Sequence, residues 1–157
     1  MPMRLRIIAL GQRMPAWVDA AVAEYAKRMP REHPLDIVEL KPAPRTRGRS
    51  TPQLLEDEAT RVLASCAGST LIALDERGSR WTTRDLADHL LRWRSEGRDV
   101  AFVIGSADGL ADSVKARAGA TVALSAMTLP HGLCRVLLTE QLYRATTLLA
   151  GHPYHRT

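Results

Sequence analysis

Between Val100 and Ile104 the chain runs five residues without a polar side chain, and Thr70 to Leu74 and Ile7 to Leu10 are nearly as apolar. A strand with one face in water alternates apolar and polar residues. Runs this uniform need cover on both faces, as in a parallel sheet held between helix layers. The intervening segments supply that cover. Pro15 opens a stretch with Val18, Ala21, Val22, Tyr25 and Met29 at helical spacing, and Thr51-Pro52 opens another with Leu55, Ala59, Val62, Leu63 and Cys66. Thr82 with Asp85 forms a capping-box pattern before Leu86, Leu90 and Trp93. A short helix is expected around Ser113 to Ala118, and Pro130 starts the longest, reaching about Ala150. Strands are expected at Leu5–Leu10, Leu35–Leu40, Thr70–Leu74 and Val100–Ile104, with a last one beginning at Val122–Leu124. The fold class is therefore α/β, a mostly parallel sheet covered by helices on both faces, read as one domain over 1–157.

Composition narrows the partners. The 22 Lys and Arg exceed the 17 Asp and Glu, a formal charge of +5 with a sequence pI near 9.8, which favours polyanions without defining any chemistry. Cys66 and Cys134 are far apart in apolar surroundings and form no C-x-x-C pair, so neither a metal nor a disulfide is expected. No run is long enough for a signal sequence or a membrane span, and the expected location is the cytoplasm.

Ligands of open parallel sheets bind beyond the carboxyl ends of the strands, so the loops after Leu74, Ile104 and Leu124 are the places to search. Gly105-Ser106-Ala107-Asp108-Gly109 lets a backbone approach a ligand closely, yet it matches no dinucleotide or P-loop pattern and reads equally as a plain turn. Leu124-Ser125-Ala126-Met127-Thr128-Leu129-Pro130 offers backbone groups and an apolar slot that suit an adenine ring; it reads also as a simple strand-to-helix connection. Lys41 to Thr51, carrying Arg45, Arg47 and Arg49, is either a phosphate-gripping loop or a solvated one. The last helix is apolar on more than one side, through Leu133, Val136, Leu137, Leu142, Leu148 and Leu149, and a second copy of the chain is the expected cover. Glu140 and Arg144 are a surface pair or part of a buried polar set. The final Gly151-His152-Pro153-Tyr154-His155-Arg156-Thr157 is either an incidental tail or a cluster of base-stacking, phosphate-binding and proton-transfer groups.

Taken together, Ala9-Leu10-Gly11, Met14-Pro15-Ala16-Trp17, Leu74-Asp75, Ile104-Gly105, Leu124 through His131, Glu140-Gln141-Leu142-Tyr143-Arg144-Ala145 and His152-Pro153-Tyr154-His155-Arg156 resemble the ribosomal RNA large-subunit methyltransferase H family over essentially the whole chain. The resemblance implies a SPOUT-type fold with a C-terminal trefoil knot and a homodimer. It implies S-adenosylmethionine as cofactor, cradled by Leu74, Gly105, Leu124, Ser125, Ala126, Met127, Thr128 and Leu129. The implied reaction is methylation of N3 of a pseudouridine in 23S ribosomal RNA of the ribosome, without metal. His152, Tyr154, His155 and Arg156 would order the base and its phosphate, with a histidine as candidate proton acceptor. One departure is Ser106, where the family ordinarily carries a second glycine; its Cβ demands an ordinary backbone conformation or strain. The rival readings are a knotted methyltransferase for another RNA, such as a transfer RNA, and a nonenzymatic RNA-binding or ribosome-associated protein.

Overall fold

Every residue of the central run Val100–Ile104 is buried in the computed structural model, which describes residues 2–155. That run is β4, flanked on one side by β1 (Leu5–Leu10) and on the other by β3 (Thr70–Arg80). β2 (Leu35–Leu40) lies beyond β1 and β5 (Ala120–Ala123) beyond β3, giving the order β2-β1-β4-β3-β5 with every pairing parallel. The strand period of two sends alternate side chains to opposite faces. Ile7, Ala9, Phe102 and Ile104 meet one helix layer, formed by α1 (Ala16–Ala26), α3 (Thr83–Ser95) and α5 (His131–Ala150). Ile8, Leu10, Ala101 and Val103 meet the other, formed by α2 (Thr51–Ser65) and α4 (Asp112–Arg117). The expected α/β sheet with two covered faces is what forms.

Three strands, β1, β2 and β4, fall on the expected bounds, and two differ for the same reason. β3 continues past Asp75 to Arg80, and β5 starts at Ala120 and ends before Leu124. Both extensions come from pairing between the two strands. Leu74 and Ser79 both face Val122, so Asp75 to Gly78 bulges out before Arg80 pairs with Ala123. Gly78 permits this, because a Cβ there would lie 2.6 Å from the Thr121 carbonyl oxygen. The Thr82–Asp85 capping box is present, both bonds made, at 2.8 and 3.0 Å. α2 is capped one residue earlier than expected, by Ser50 with Gln53.

Candidate functional site

The carboxyl ends of β3, β4 and β5 bring the expected loop residues together. Leu74 pairs with Ile104 on one side and Val122 on the other, so Gly105, directly after Ile104, and the 124–129 loop, two residues after Val122, leave from the neighbouring strand ends. Pro130 then turns the chain into α5, whose first residue closes the group: the His131 Nδ1–H donates to the Gly105 carbonyl at 2.8 Å. Thr128 donates its hydroxyl to Glu76 at 2.6 Å, tying the 124–129 loop to the β3 bulge. Within that loop Met127 N–H donates to Ser125 Oγ at 2.9 Å, while the main-chain amides of Ala126 and Thr128 have no protein partner among the described residues. Met127 is 76% exposed, so its side chain covers nothing in the monomer.

The turn after β4 is tight. Gly109 N–H donates to Ser106 O at 2.9 Å, and Gly109 sits at φ +86, a conformation that suits glycine. A Cβ on Gly105 would lie 2.5 Å from the Gly109 carbonyl oxygen, so the turn closes only with glycine at 105. Ser106 does not share that demand. Its φ is not positive, and its hydroxyl donates to Glu58 Oε1 and accepts from Arg45, both at 2.9 Å. Where the resemblance implies a second glycine, this chain carries a tethering hydroxyl.

Those two partners define a network that the sequence alone left hidden. Glu58, on α2, is 1% exposed; its carboxylate also accepts from Arg45 and from the Ala43 amide, each at 2.9 Å. Arg45 reaches on to Asp108 at 2.9 Å. The basic loop is therefore folded against the glycine turn: Arg45 is spent internally, Arg49 pairs with Asp57 at 3.4 Å, and Arg47 makes no ion pair among the described residues. One signal for Glu58 existed, since it lies between Leu54 and Val62 at four-residue spacing, a charge on the buried stripe.

A second network runs beneath the first turn of α5. Arg135 is 2% exposed and donates through Nε to His131 Nε2 at 2.9 Å, through Nη1 to Glu39 at 2.7 Å and through Nη2 to the Gly11 carbonyl at 2.9 Å. Since Arg135 can only donate, His131 must accept at Nε2 and carry its proton on Nδ1, where the Gly105 carbonyl receives it. Burial is the main cause that pulls the His131 pKa below its ordinary 6.5, aided by the Arg135 charge and opposed by the Gly105 bond. A lowered imidazole pKa favours the fold above the ordinary value and penalises it as pH falls through and below 6.5. Wild type should therefore exceed a His131→Gln variant in thermal midpoint by a gap that is wide at about pH 7.5 and narrow at about pH 5. A gap independent of pH would show that the neutral imidazole is not what the fold requires.

The tail residues lie elsewhere. Gly151, left-handed at φ 69, ends α5, and the 3-10 turn Pro153–His155 folds back along it. Tyr154 packs edge-on against Tyr143, centroids 4.6 Å apart, beneath the Arg144 guanidinium at 4.9 Å. Arg144 in turn pairs with Glu140 at 2.7 Å, both mostly buried, which makes this a packed polar set rather than a surface pair. Burial chiefly, with the Glu140 charge and a Tyr25 hydrogen bond, raises the Tyr154 phenol. His152 accepts the Tyr154 amide at Nδ1, 3.1 Å. Tyr143 stands twelve residues beyond His131, so Tyr154 lies roughly 18 Å along the helix from its own Gly105 turn. The structure thus gathers Leu74, Gly105 and 124–129 but not His152 or Tyr154 with them. The His155 side chain and Arg156 lie outside the described residues.

Comparison with known proteins follows this geometry. Residues 3–155 match the family model described as Predicted SPOUT methyltransferase. A ribosomal RNA large subunit methyltransferase H of Bordetella avium is 51% identical over 155 residues, 98% of this chain and 99% of that protein. The protein of the same name from Laribacter hongkongensis is 50% identical with the same coverage. Among solved structures, a tRNA methyltransferase from Aquifex aeolicus superposes with a TM-score of 0.52 at 12% identity, over 90% of this chain and 70% of that one, a likeness of fold.

Proposed function

The chain belongs to the SPOUT methyltransferase family, and from that premise we propose that it methylates N3 of a pseudouridine in 23S ribosomal RNA, on assembled ribosomes in the cytoplasm, with S-adenosylmethionine as donor. The observation that carries the cofactor assignment is the convergence of Leu74, Gly105 and Leu124 to Leu129 at three adjacent strand ends, with the Ala126 and Thr128 amides unpartnered there. Main-chain donors beside apolar Leu74, Leu124 and Leu129 fit an adenine ring and its ribose. When bound, the cofactor supplies an electrophilic methyl group and departs as a neutral thioether.

The protein's own residues then have two tasks. The loops fix the donor's position, which is where most of the rate gain from proximity arises. The tail receives the base: the Tyr154 ring stacks, Arg156 holds a phosphate, and the proton on N3 must be taken up before its lone pair can react. His152 already accepts at Nδ1, so its neutral form carries hydrogen on Nε2 and acts as a donor, which leaves His155 as the acceptor. Arg47 and Lys41 add salt-dependent affinity for the RNA. Because Tyr154 lies far along α5 from its own Gly105 turn, a second copy must supply the tail, making the enzyme a homodimer whose sites are shared. Leu137, 36% exposed on α5, fits that contact. The C-terminal knot is part of the same reading and rests on the family membership.

Mapping of 23S ribosomal RNA from cells lacking the protein should show one N3-methylpseudouridine missing, restored by the wild-type gene; an unchanged map would end the proposal. On intact ribosomes, Tyr154→Ala, His155→Ala and Arg156→Ala should each lower turnover with cofactor affinity unchanged. Co-expressing a Gly105→Ala chain with a His155→Ala chain should, at a cofactor concentration near the wild-type Kd, give more activity than either variant gives alone, since the mixed dimer holds one intact site. Failure to recover would place pocket and tail on the same chain.

A further inference from the structure

Away from these loops, a hollow of about 520 Å3 opens at the amino ends of β3 and β5, beneath α3. The loops already described follow the last residues of β4 and β5 and the β3 bulge; this hollow is walled by the first residues of β3 and β5, Thr70 and Ala120, and by Trp81, which follows Arg80 at the end of β3. Nothing in the methyl-transfer reading uses it. Its lining is unusual for a chain with so few aromatic residues. Trp81 and His89 stand 3.9 Å apart and 13° from parallel, a stacked pair at the rim, and Trp93 adjoins both, with ring centroids at 6.3 and 5.4 Å.

We propose that this hollow binds one unpaired nucleotide of the RNA substrate, its base against the Trp81–His89 aromatic wall and its phosphate toward Arg92 and Arg98. The choice of RNA rests on the methyltransferase reading; the site itself rests on the following geometry. Flat π surface is the sequence-tolerant way to hold a base, and guanidinium groups beside it hold the backbone. Among the described residues the Arg98 guanidinium makes only a 3.5 Å contact with Thr70, and Arg92 spends one nitrogen on His89 Nδ1 at 2.8 Å. That bond fixes the His89 hydrogen on Nε2, leaving a donor for a base edge. Burial, with the neighbouring Arg92 charge, lowers the His89 pKa, which keeps the ring neutral and suited to stacking. Glu96 also lines the hollow and repels a phosphate placed beside it, which steers the backbone to the arginine side. The volume falls in the range of small-ligand clefts, and the four-residue β5 puts the Ala120 end of the hollow roughly 13 Å from the start of the 124–129 loop, with Trp81 on the side nearer that loop.

Tryptophan fluorescence tests this directly, because the chain has three tryptophans and Trp17 is the exposed one. In a Trp17→Phe background, a six-nucleotide uridine oligomer should quench the remaining emission saturably, more weakly as salt rises. Arg92→Ala with Arg98→Ala, both at exposed positions, should weaken that binding about tenfold or more. Trp81→Leu should remove most of the response, and an abasic oligomer of equal length should give none. Absence of quenching by the uridine oligomer overturns the proposal, as does equal binding with both arginines removed or equal quenching by the abasic oligomer. Cofactor binding, measured by calorimetry on the same variants, should be unchanged; if wild type itself bound no S-adenosylmethionine, the methyltransferase reading would fail while oligomer binding was still scored.

Discussion

A Gly105→Ala variant should bind S-adenosylmethionine about ten- to a hundredfold more weakly than wild type while keeping its sheet. The added Cβ meets the Gly109 carbonyl oxygen at 2.5 Å, the Gly109 carbonyl carbon at 2.6 Å and Leu110 Cγ at 3.0 Å. The first two are backbone atoms with no rotamer to yield. Gly109 is already committed to a left-handed conformation by the turn bond to Ser106, so relief must come from opening the turn. Opening it shifts the Gly105 carbonyl away from His131 and so loosens the start of α5 as well. Overpacking of this kind costs about 1–3 kcal/mol, the source of the expected affinity loss. Calorimetric titration against wild type reads the effect, and thermal unfolding checks the fold. An unchanged affinity would mean that the cofactor does not rest on this turn.

Loss of Arg45 should be costly for stability. Its guanidinium is the cationic partner of Glu58, a carboxylate with 1% exposure, and also spans to Ser106 and Asp108. Arg45→Ala leaves a buried charge with only the Ala43 amide and the Ser106 hydroxyl. Because Arg45 is itself 36% exposed, the loss falls at the low end of the range for broken buried pairs, about 3 kcal/mol, or about 6–12 °C in thermal midpoint for a chain of this length. The double variant Arg45→Ala/Glu58→Leu should regain most of it, since removing both charges leaves nothing unpaired. Thermal unfolding of the three proteins decides. A single variant as stable as wild type would show that water satisfies Glu58 through an opened loop.

Both predictions concern groups that local pattern treats differently. Gly105 stood out in the sequence because it follows an apolar strand where ligands of parallel sheets bind, although the loop reads equally as a plain turn. Arg45 was legible only as a member of a basic loop, and the expectation of a phosphate grip divided on inspection. The Arg45 guanidinium is committed to Glu58 and Asp108 and Arg49 pairs with Asp57, while Arg47 makes no ion pair among the described residues. His131 and Arg135 stood four apart on one helix face, a spacing that allows contact, yet nothing nearby in the chain announced Glu39, ninety-six residues away, or the Gly11 carbonyl.

Apolar runs with almost no alternation determined by themselves that β1 and β4 would form at Leu5–Leu10 and Val100–Ile104 and be covered on both faces, while the alternation of Leu35–Leu40 marked β2 as a strand none of whose residues is fully buried. Burial on two sides is a property each strand carries in its own composition. Only the tertiary structure decided that β3 would run on to Arg80, because Ser79 and Arg80 become a strand by pairing with β5 after a register shift. It alone decided that Glu58 would find Arg45 and that Tyr154 would fold back on Tyr143. Hydrogen-bond and charge partners are chosen by proximity in space, and a chain's local periodicity carries no record of which distant segment will be there.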